Sequence, residues 1–210
     1  MLRNKIHCKL PPCPFCNTPP TVFTRHQARR RGFRILCGLL VDVVLGLVIR
    51  WKCPGCKKTF TQQPPFALRC KRFTRETILD FSGSYLEDEA SSYRKTVLEE
   101  GMPIGYPTKT VNDSLIYPEL AHTTPYRWIS SLGGFKEIPR RALDHVLQAN
   151  PASTVHRDLT ALKISPGKYV KTTREKVLKR CRQLIYLEAE FRAAFDASIF
   201  PFFATTCAWR

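Results

Sequence analysis

The sequence predicts an α+β fold in which a small β ribbon comes first and a mainly α-helical region follows. Two Cys-x-x-Cys motifs and several runs of β-branched residues lie in the first third of the chain. Beyond Pro64 and Pro65, acidic residues return and apolar residues recur at the spacing of amphipathic helices. These observations predict a ribbon domain over residues 1–65, a helical region over 66–135 and a helical C-terminal region over 136–210.

The two Cys-x-x-Cys motifs, C-P-F-C and C-P-G-C, predict one metal site. Each motif places two thiolates on a tight turn, to which Pro14, Pro54 and Gly55 are suited. Two such turns on a chain that can fold back are typical of one structural Zn²⁺, whose closed tetrahedron leaves no position for catalysis. Disulfides or redox pairs are the alternative, but nine cysteines without a secretory signal indicate a reducing, cytoplasmic environment. The predicted ligands are Cys13, Cys16, Cys53 and Cys56.

The chain between and after the motifs predicts strands. Residues 21–24 are expected to leave the metal site as a strand, and a basic run then ends at Gly32, a turn residue. Residues 35–49 are nearly all apolar, which raises the alternative of a membrane span. A spanning helix needs about 20 such residues, and Asp42 would cost about 2.5–3.5 kcal/mol at its centre. We therefore expect a hairpin with its second strand over 48–52. The apolar tip of this hairpin needs a cover from the chain or from a partner. A further strand is expected over 57–61.

Helices are predicted in the rest of the chain. Thr74 is a suitable N-cap for a helix to about Leu86, and a second helix begins at Ser91 or Ser92 and stops at Gly101.

The C-terminal region also predicts helices. One is expected over 136–148. A capping box made by Thr172 and Glu175 opens a long helix that reaches about residue 196.

Residues 123–134 predict a short helix with two distinct faces. Thr124 can cap it and Gly133 can end it. The residues expected on its buried face are Pro125, Trp128, Ile129 and Leu132; those on its polar front are Thr124, Tyr126, Arg127 and Ser130. An apolar back and a small, singly basic front are typical of the recognition helix of a helix-turn-helix. Its partner helix would span 112–121, where Pro118 interrupts it; the alternative is an ordinary packing helix.

The charge of the chain is strongly segregated. The net charge is +17; residues 1–75 hold sixteen Lys or Arg against one acid, a net +15, whereas residues 76–210 hold eighteen against sixteen, a net +2. Such a local excess attracts polyanions, because basic side chains replace the counterions condensed on a phosphate backbone. We therefore expect DNA binding, with the front of the short helix reaching base edges. The ribbon residues expected to contact phosphates are Arg25, Arg29, Arg30, Arg31, Arg34, Lys57 and Lys58.

No catalytic motif accompanies these features. The sequence has no G-x-x-x-x-G-K-[ST] or G-x-G-x-x-G phosphate loop, and its five histidines form no H-E-x-x-H pattern. The acids lie mostly in charged helical runs rather than in a pattern for two-metal catalysis. We expect a binding protein and not an enzyme. A nuclease or transposase fragment with a cryptic carboxylate site is the weaker alternative.

The segments C-P-F-C and V-I-R-W-K-C-P-G-C-K-K-T-F-T resemble the zinc ribbons at the front of insertion-sequence transposases. The segment T-T-P-Y-R-W-I-S-S-L-G further on resembles the helix-turn-helix that follows such a ribbon. The chain looks most like an uncharacterised bacterial family of mobile-element-associated zinc-ribbon proteins. This resemblance implies the four cysteine ligands, DNA binding, and an accessory or regulatory role in transposition with a transposase or recombinase as partner. The chain departs from the family in its very apolar insert and in Pro118, and it lacks an acidic catalytic core. The alternative function is an adaptor that docks on a recombinase or polymerase through the apolar tip.

Overall fold

A computed structural model describes residues 10, 12–106, 109–111, 114–116 and 118–200. It confirms the α+β class, because a small antiparallel sheet at the N-terminal end is followed by five α-helices in the described chain. Among these helices, none combines the length and the apolar character that crossing a bilayer requires.

One long hairpin forms most of the sheet. Strands β1 (Thr24–Cys37) and β2 (Leu40–Lys52) are antiparallel, and β3 (Thr59–Gln62) pairs with the last four residues of β2. At 3.4 Å per residue, β1 is about 45 Å long. The turn between the strands lies at residues 38 and 39, where Gly38 has a φ of 58°, a conformation that glycine adopts without strain.

The hairpin is longer than the sequence predicts. The basic run lies inside β1, and Gly32 is not a turn residue but stands opposite Leu45 in the sheet. A Cβ on Gly32 would come within 2.9 Å of a side-chain carbon of Val43, so this glycine makes room for a valine on the neighbouring strand. Of the short strand predicted over 21–24, Thr24 is extended as the first residue of β1. The chain before it forms a 3-10 turn, Pro20–Val22, which two successive prolines begin.

The turn end of the hairpin is attached to the helical region along both of its edges. On the β2 edge, Val41 donates its N–H to the carbonyl of Gly105 at 2.8 Å, and Gly105 donates to the carbonyl of Leu39 at 3.0 Å. On the β1 edge, Arg34 donates its N–H to the carbonyl of Arg72 at 2.7 Å. The rest of the chain therefore supplies part of the cover that the apolar tip was predicted to need.

Helices and short elements make up the remainder of the described chain. The helices are α1 (Arg75–Glu87), α2 (Thr123–Leu132), α3 (Glu137–Ala149), α4 (Val155–Ala161) and α5 (Thr172–Phe195). The short strands pair as β4 (Leu98–Glu99) with β5 (Met102–Pro103) and as β6 (Lys109–Val111) with β7 (Ser114–Ile116). Further 3-10 turns are Lys95–Val97 and Pro166–Lys168.

Helix α5 is the central element of the main core, since it contacts each of the other four helices. Its buried apolar residues are Leu178, Cys181, Leu184, Leu187 and Phe191. The same apolar cluster includes Val41 of β2, so residues from all three predicted parts share one core. Gly133 allows the end of α2 to approach α5 closely, because a Cβ there would collide with the carbonyl oxygen of Val177.

Several helix predictions are confirmed. Helix α1 begins after Thr74, whose side chain accepts a hydrogen bond from the N–H of Thr77 as an N-cap does. Helix α3 occupies the expected segment. The buried residues of α2 are the four predicted for its apolar face, namely Pro125, Trp128, Ile129 and Leu132.

The helix predicted from Ser91 or Ser92 to Glu100 is wrong. Glu100 and Gly101 have φ values of 51° and 81° and form a two-residue turn between β4 and β5. Consecutive residues with positive φ are typical of a hairpin turn. The glycine therefore marks a strand connection and not a helix end.

The helix predicted over 112–121 is also not observed. Ser114–Ile116 is a strand, while residues 112, 113 and 117 of the predicted helix lie outside the described residues. Helix α2 consequently lacks the preceding helix that a helix-turn-helix needs, at least among the described residues. The capping box of α5 is wrong as well, because Lys171 is the N-cap and its carbonyl accepts the N–H of Glu175 at 3.2 Å.

Candidate metal centre and basic hairpin

The four predicted ligands lie together at the open end of the hairpin. Their Sγ atoms are all within 4.8 Å of one another. The Sγ atoms of Cys13 and Cys56 are 3.7 Å apart, and those of Cys16 and Cys53 are 3.5 Å apart. Zinc–sulfur bonds of about 2.3 Å place the corners of a tetrahedron about 3.8 Å apart. These residues therefore fit one metal ion held by four thiolates.

The two motifs have the same backbone geometry. In each, the N–H of the first cysteine donates to a carbonyl five residues later; the pairs are Cys13 with Thr18 at 2.8 Å and Cys53 with Lys58 at 3.0 Å. The residue after each second cysteine, Asn17 or Lys57, has a positive φ of 57° or 60°. This left-handed residue turns the chain back, so that both thiols of a motif face the same point.

Thr18 and Gly55 complete the surroundings of the thiols. The hydroxyl oxygen of Thr18 is 3.0 Å from the Sγ of Cys16, a position from which it donates to a thiolate. A Cβ on Gly55 would lie 2.6 Å from that hydroxyl oxygen and 3.6 Å from the Sγ of Cys16. Glycine is therefore required here by close approach rather than by the positive φ that the turn motif suggests.

The pKa values of the thiols diverge. The pKa of Cys16 is lowered to about 6, chiefly because the side chain of Thr18 hydrogen-bonds to its sulfur. For Cys56, a backbone hydrogen bond from Lys58 lowers the pKa, but burial and the neighbouring thiols outweigh it and raise the pKa to about 11. Thiolates this close together repel one another unless a cation neutralises them. A set of four thiolates selects soft or borderline ions such as Zn²⁺.

Three arginines of β1 are available to a partner. Arg25, Arg29 and Arg30 are exposed, and within the described part of the chain none of their side chains has a hydrogen-bond or ion-pair partner. Arg25 lies at the metal end of the hairpin, where Thr24 pairs with Lys52 directly before the second cysteine motif. Their charges are therefore presented to solvent along one strand.

The other two predicted arginines of β1 are engaged with the protein. Arg31 donates from its guanidinium group to the carbonyl of Lys71 at 3.2 Å. Arg34 donates to the hydroxyl of Tyr106 at 3.2 Å, and its guanidinium carbon lies 4.6 Å from the centre of that ring. These contacts hold the hairpin against the helical region, which leaves fewer donors for phosphates.

The second cysteine motif adds two lysines at the metal end. Lys57 and Lys58 are exposed, and the ammonium group of Lys58 lies 4.8 Å from the ring centre of Phe15 on the first motif. These lysines extend the row of positive charge beyond the strands.

A basic run that is not among the predicted phosphate contacts lies beside β1. Arg69 and Arg72 are exposed, and the intervening Lys71 accepts the Arg31 hydrogen bond through its carbonyl. The signal in the sequence was the run R-C-K-R itself. Its position along β1 depends on long-range pairing, in which Arg34 bonds to Arg72.

The predicted front of α2 is largely occupied by the protein itself. Arg174 of α5 donates to the Oγ of Ser130 at 2.7 Å and lies 4.3 Å from the ring centre of Tyr126. Thr124 is half-buried, whereas Arg127 is exposed and has no partner among the residues that the structure describes. The structure therefore brings Tyr126 and Ser130 together with Arg174 of α5.

Comparisons with known proteins identify no relative, since no protein-family model, no curated protein and no solved structure matches the chain.

Proposed function

We propose that the chain binds one structural Zn²⁺ and uses the hairpin closed by this ion to bind duplex DNA as a non-enzymatic factor. The observation that carries the proposal is the row of exposed arginines on a long two-stranded ribbon, for which the described residues provide no partner. Arginines of this kind are the usual donors to phosphate oxygens, and they carry a sequence-independent share of the affinity.

The shape of the ribbon supports a groove-binding mode. The major groove of B-DNA, about 12 Å wide, admits a two-stranded β-ribbon. Successive residues of a strand point to opposite faces, so that Arg29 and Arg30 project on opposite sides of the ribbon. A ribbon lying in the groove would thus direct one of these arginines into the groove and leave the other on its outer face.

The two ends of the hairpin support the same proposal, because both are held. The metal site closes the open end, and the pairing of Arg34 with Arg72 holds the other end against the helical region. A ribbon held in this way loses little conformational entropy on binding, which favours affinity.

The setting in transposition rests on the resemblance alone. Helix α2 offers Arg127 as its one predicted front residue that is exposed without a partner in the described chain, so we propose that it contributes at most a single base contact. The ribbon supplies the main surface.

Salt dependence tests the DNA proposal. We expect replacement of Arg25, Arg29 and Arg30 with alanine to lower the slope of log affinity against log salt by up to about 2.7, since each lost phosphate contact on B-DNA removes about 0.9. The matched control replaces three exposed basic residues of α5, namely Lys176, Lys179 and Arg180. The proposal would be overturned if the β1 variant kept the wild-type slope, or if the slope of the α5 control fell by the same amount.

Metal content tests the zinc proposal. Wild-type protein is expected to hold one equivalent of zinc by elemental analysis, and Cys53→Ser is expected to hold much less. Cys181→Ser is the control, because this thiol is buried in the helical core, away from the site. Equal zinc in wild type and Cys53→Ser, or a different metal in the wild type, would refute the assignment.

A further inference from the structure

The outer side of β2 carries an apolar stripe that the described residues leave exposed. Val43, Leu45 and Leu47 are 55%, 65% and 42% exposed. They are alternate residues, so they point to the same face of the sheet. Across from Leu45 stands Gly32, which has no side chain to cover it. The three side chains therefore form one continuous apolar surface.

The backbone of these three residues also points outward. Along an antiparallel pair, alternate residues direct their N–H and C=O groups away from the partner strand. Val41 is such a residue, because it gives its N–H to Gly105 on the side away from β1. By the same alternation, the backbone N–H and C=O groups of Val43, Leu45 and Leu47 also point away from β1. Ile49, the next in the series, pairs with Gln62 of β3 on that side.

The result is a gap in the edge of the sheet with a neighbour at each end. Gly105 lies beside Leu40 at one end and β3 lies beside Ile49 at the other. Between them, no described residue pairs with the edge of β2 that faces away from β1. Only the N–H of Val43 is already bonded, by the carboxylate of Asp42 at 2.6 Å. The N–H groups of Leu45 and Leu47 therefore lack a protein partner within the described residues.

The boundaries exclude a second copy of the chain as the natural occupant. An antiparallel pair of β2 strands centred on Leu45 would place Val41 of one copy opposite Ile49 of the other. Strand β3 already pairs with Ile49, and Gly105 already bonds to Val41, so neither residue is open to a second copy. The net charge of +17 also opposes the approach of a second copy.

Charge indicates what can occupy the gap. The hairpin from Thr24 to Lys52 contains a single acid; its basic residues are Arg25, Arg29, Arg30, Arg31, Arg34, Arg50 and Lys52. Arg30 stands opposite Leu47 on the face of the apolar stripe. A guest strand that carries carboxylates beside its apolar residues would therefore be attracted, whereas a basic one would be repelled.

We propose that the edge of β2 from Val43 to Leu47 binds a short extended segment of a partner protein, apolar at alternate positions and acidic at its flanks. The segment adds to the sheet as a strand: backbone groups of Leu45 and Leu47 supply the hydrogen bonds, and the stripe supplies the apolar contact. The site lies on the edge of the hairpin opposite to β1, and strand addition there does not depend on the proposed DNA binding.

A displayed library of random ten-residue peptides, selected on the zinc-loaded full chain, tests the proposal. We expect enrichment of peptides with alternating β-branched or aromatic residues and with Asp or Glu at the flanks. The best peptide is expected to slow amide exchange of Leu45 and Leu47 at least tenfold. Leu45→Glu is expected to weaken its binding at least tenfold, since a charge on an edge strand opposes strand addition.

The matched control is Leu40→Glu, which changes a leucine of similar exposure, 56%, that lies beside Gly105 and outside the gap. It is expected to change peptide affinity less than twofold. Zinc content and melting temperature establish that both variants are folded. Failure to enrich any peptide, or equal loss in both variants, would overturn the proposal. The proposal would also fail if the wild type were a dimer that Leu45→Glu converts to a monomer. It would fail as well if Leu45→Glu lost duplex DNA binding and the library yielded no peptide.

Discussion

Thr18→Val is expected to weaken zinc binding in a way that depends on pH. Valine keeps the shape of threonine but removes the hydroxyl that lies 3.0 Å from the Sγ of Cys16. That hydrogen bond is the chief reason why the pKa of Cys16 is about 6 instead of its ordinary 9.0. A thiol must lose its proton before it binds a metal. At neutral pH wild-type Cys16 has already lost this proton, whereas Cys16 of the variant must release it on binding zinc, which weakens the affinity.

The size of the effect follows from the two pKa values. If the pKa of Cys16 returned fully to its ordinary value, zinc affinity at pH 7 would fall about 100-fold, and at pH 9 the deficit would shrink to about twofold. Residual hydrogen bonds to the sulfur make the full return an upper limit. Loss of a hydrogen bond to a metal ligand typically costs about 10–100-fold, which agrees with this limit.

Competition with a chromogenic zinc chelator at pH 7 and at pH 9 measures the deficit. Thr18→Ser is the control, because it retains the hydroxyl and is expected to bind zinc within a few-fold of wild type. Equal affinities of Thr18→Val and wild type at pH 7 would show that the hydroxyl does not act on the thiolate. A deficit of the same size at both pH values would show that valine disturbs the fold of the motif instead.

Three stability predictions concern the helical region, and all are measured by chemical unfolding. Gly133→Ala should destabilise the protein by more than about 1 kcal/mol, since its Cβ meets the backbone of Val177 and overpacking costs about 1–3 kcal/mol; an unchanged midpoint would contradict the close crossing of α2 and α5. Gly83→Ala should instead stabilise by about 0.5–1 kcal/mol, because its Cβ meets nothing within 4 Å in the middle of α1; any loss of stability would count against that open space. Trp128→Ala should cost about 3–5 kcal/mol as a large truncation in the core, whereas Arg127→Ala should stay within about 0.5 kcal/mol as an exposed change; similar costs for both would refute the assigned faces of α2.

The features that the sequence predicts well are local. The metal site follows from two four-residue motifs, because a Cys-x-x-Cys turn aims both of its thiols at one point whatever surrounds it. The buried face of α2 follows from helical spacing alone, so that Trp128 and Ile129 were correctly assigned to the core.

The errors arise where distant residues determine the outcome. Gly32 is a residue type typical of turns, yet β1 continues through it because β2 pairs with β1 on both sides of Gly32. Gly101 suits the end of a helix, but with Glu100 it forms a hairpin turn instead. Local preference does not distinguish these outcomes, because glycine suits all of them.

The front of α2 illustrates the same limit for a candidate site. Tyr126 and Ser130 lie on the polar side of the helix, as their spacing requires. Their partner is Arg174, forty-four positions beyond Ser130 in the chain. Helical periodicity separates the buried side of a helix from its polar side, but it does not reveal which polar side chains another helix will contact.

Support of the hairpin at two separate ends has a consequence for a cell in which zinc becomes scarce. Loss of the ion would release the end that carries Arg25, whereas the hydrogen bonds of Val41 and Arg34 to the helical region contain no metal and would persist. The strands would then fray from the metal end while the segment around Leu45 stayed formed. Zinc supply would thus change the order of the metal end that carries Arg25, while the proposed strand-binding edge farther along β2 stayed formed.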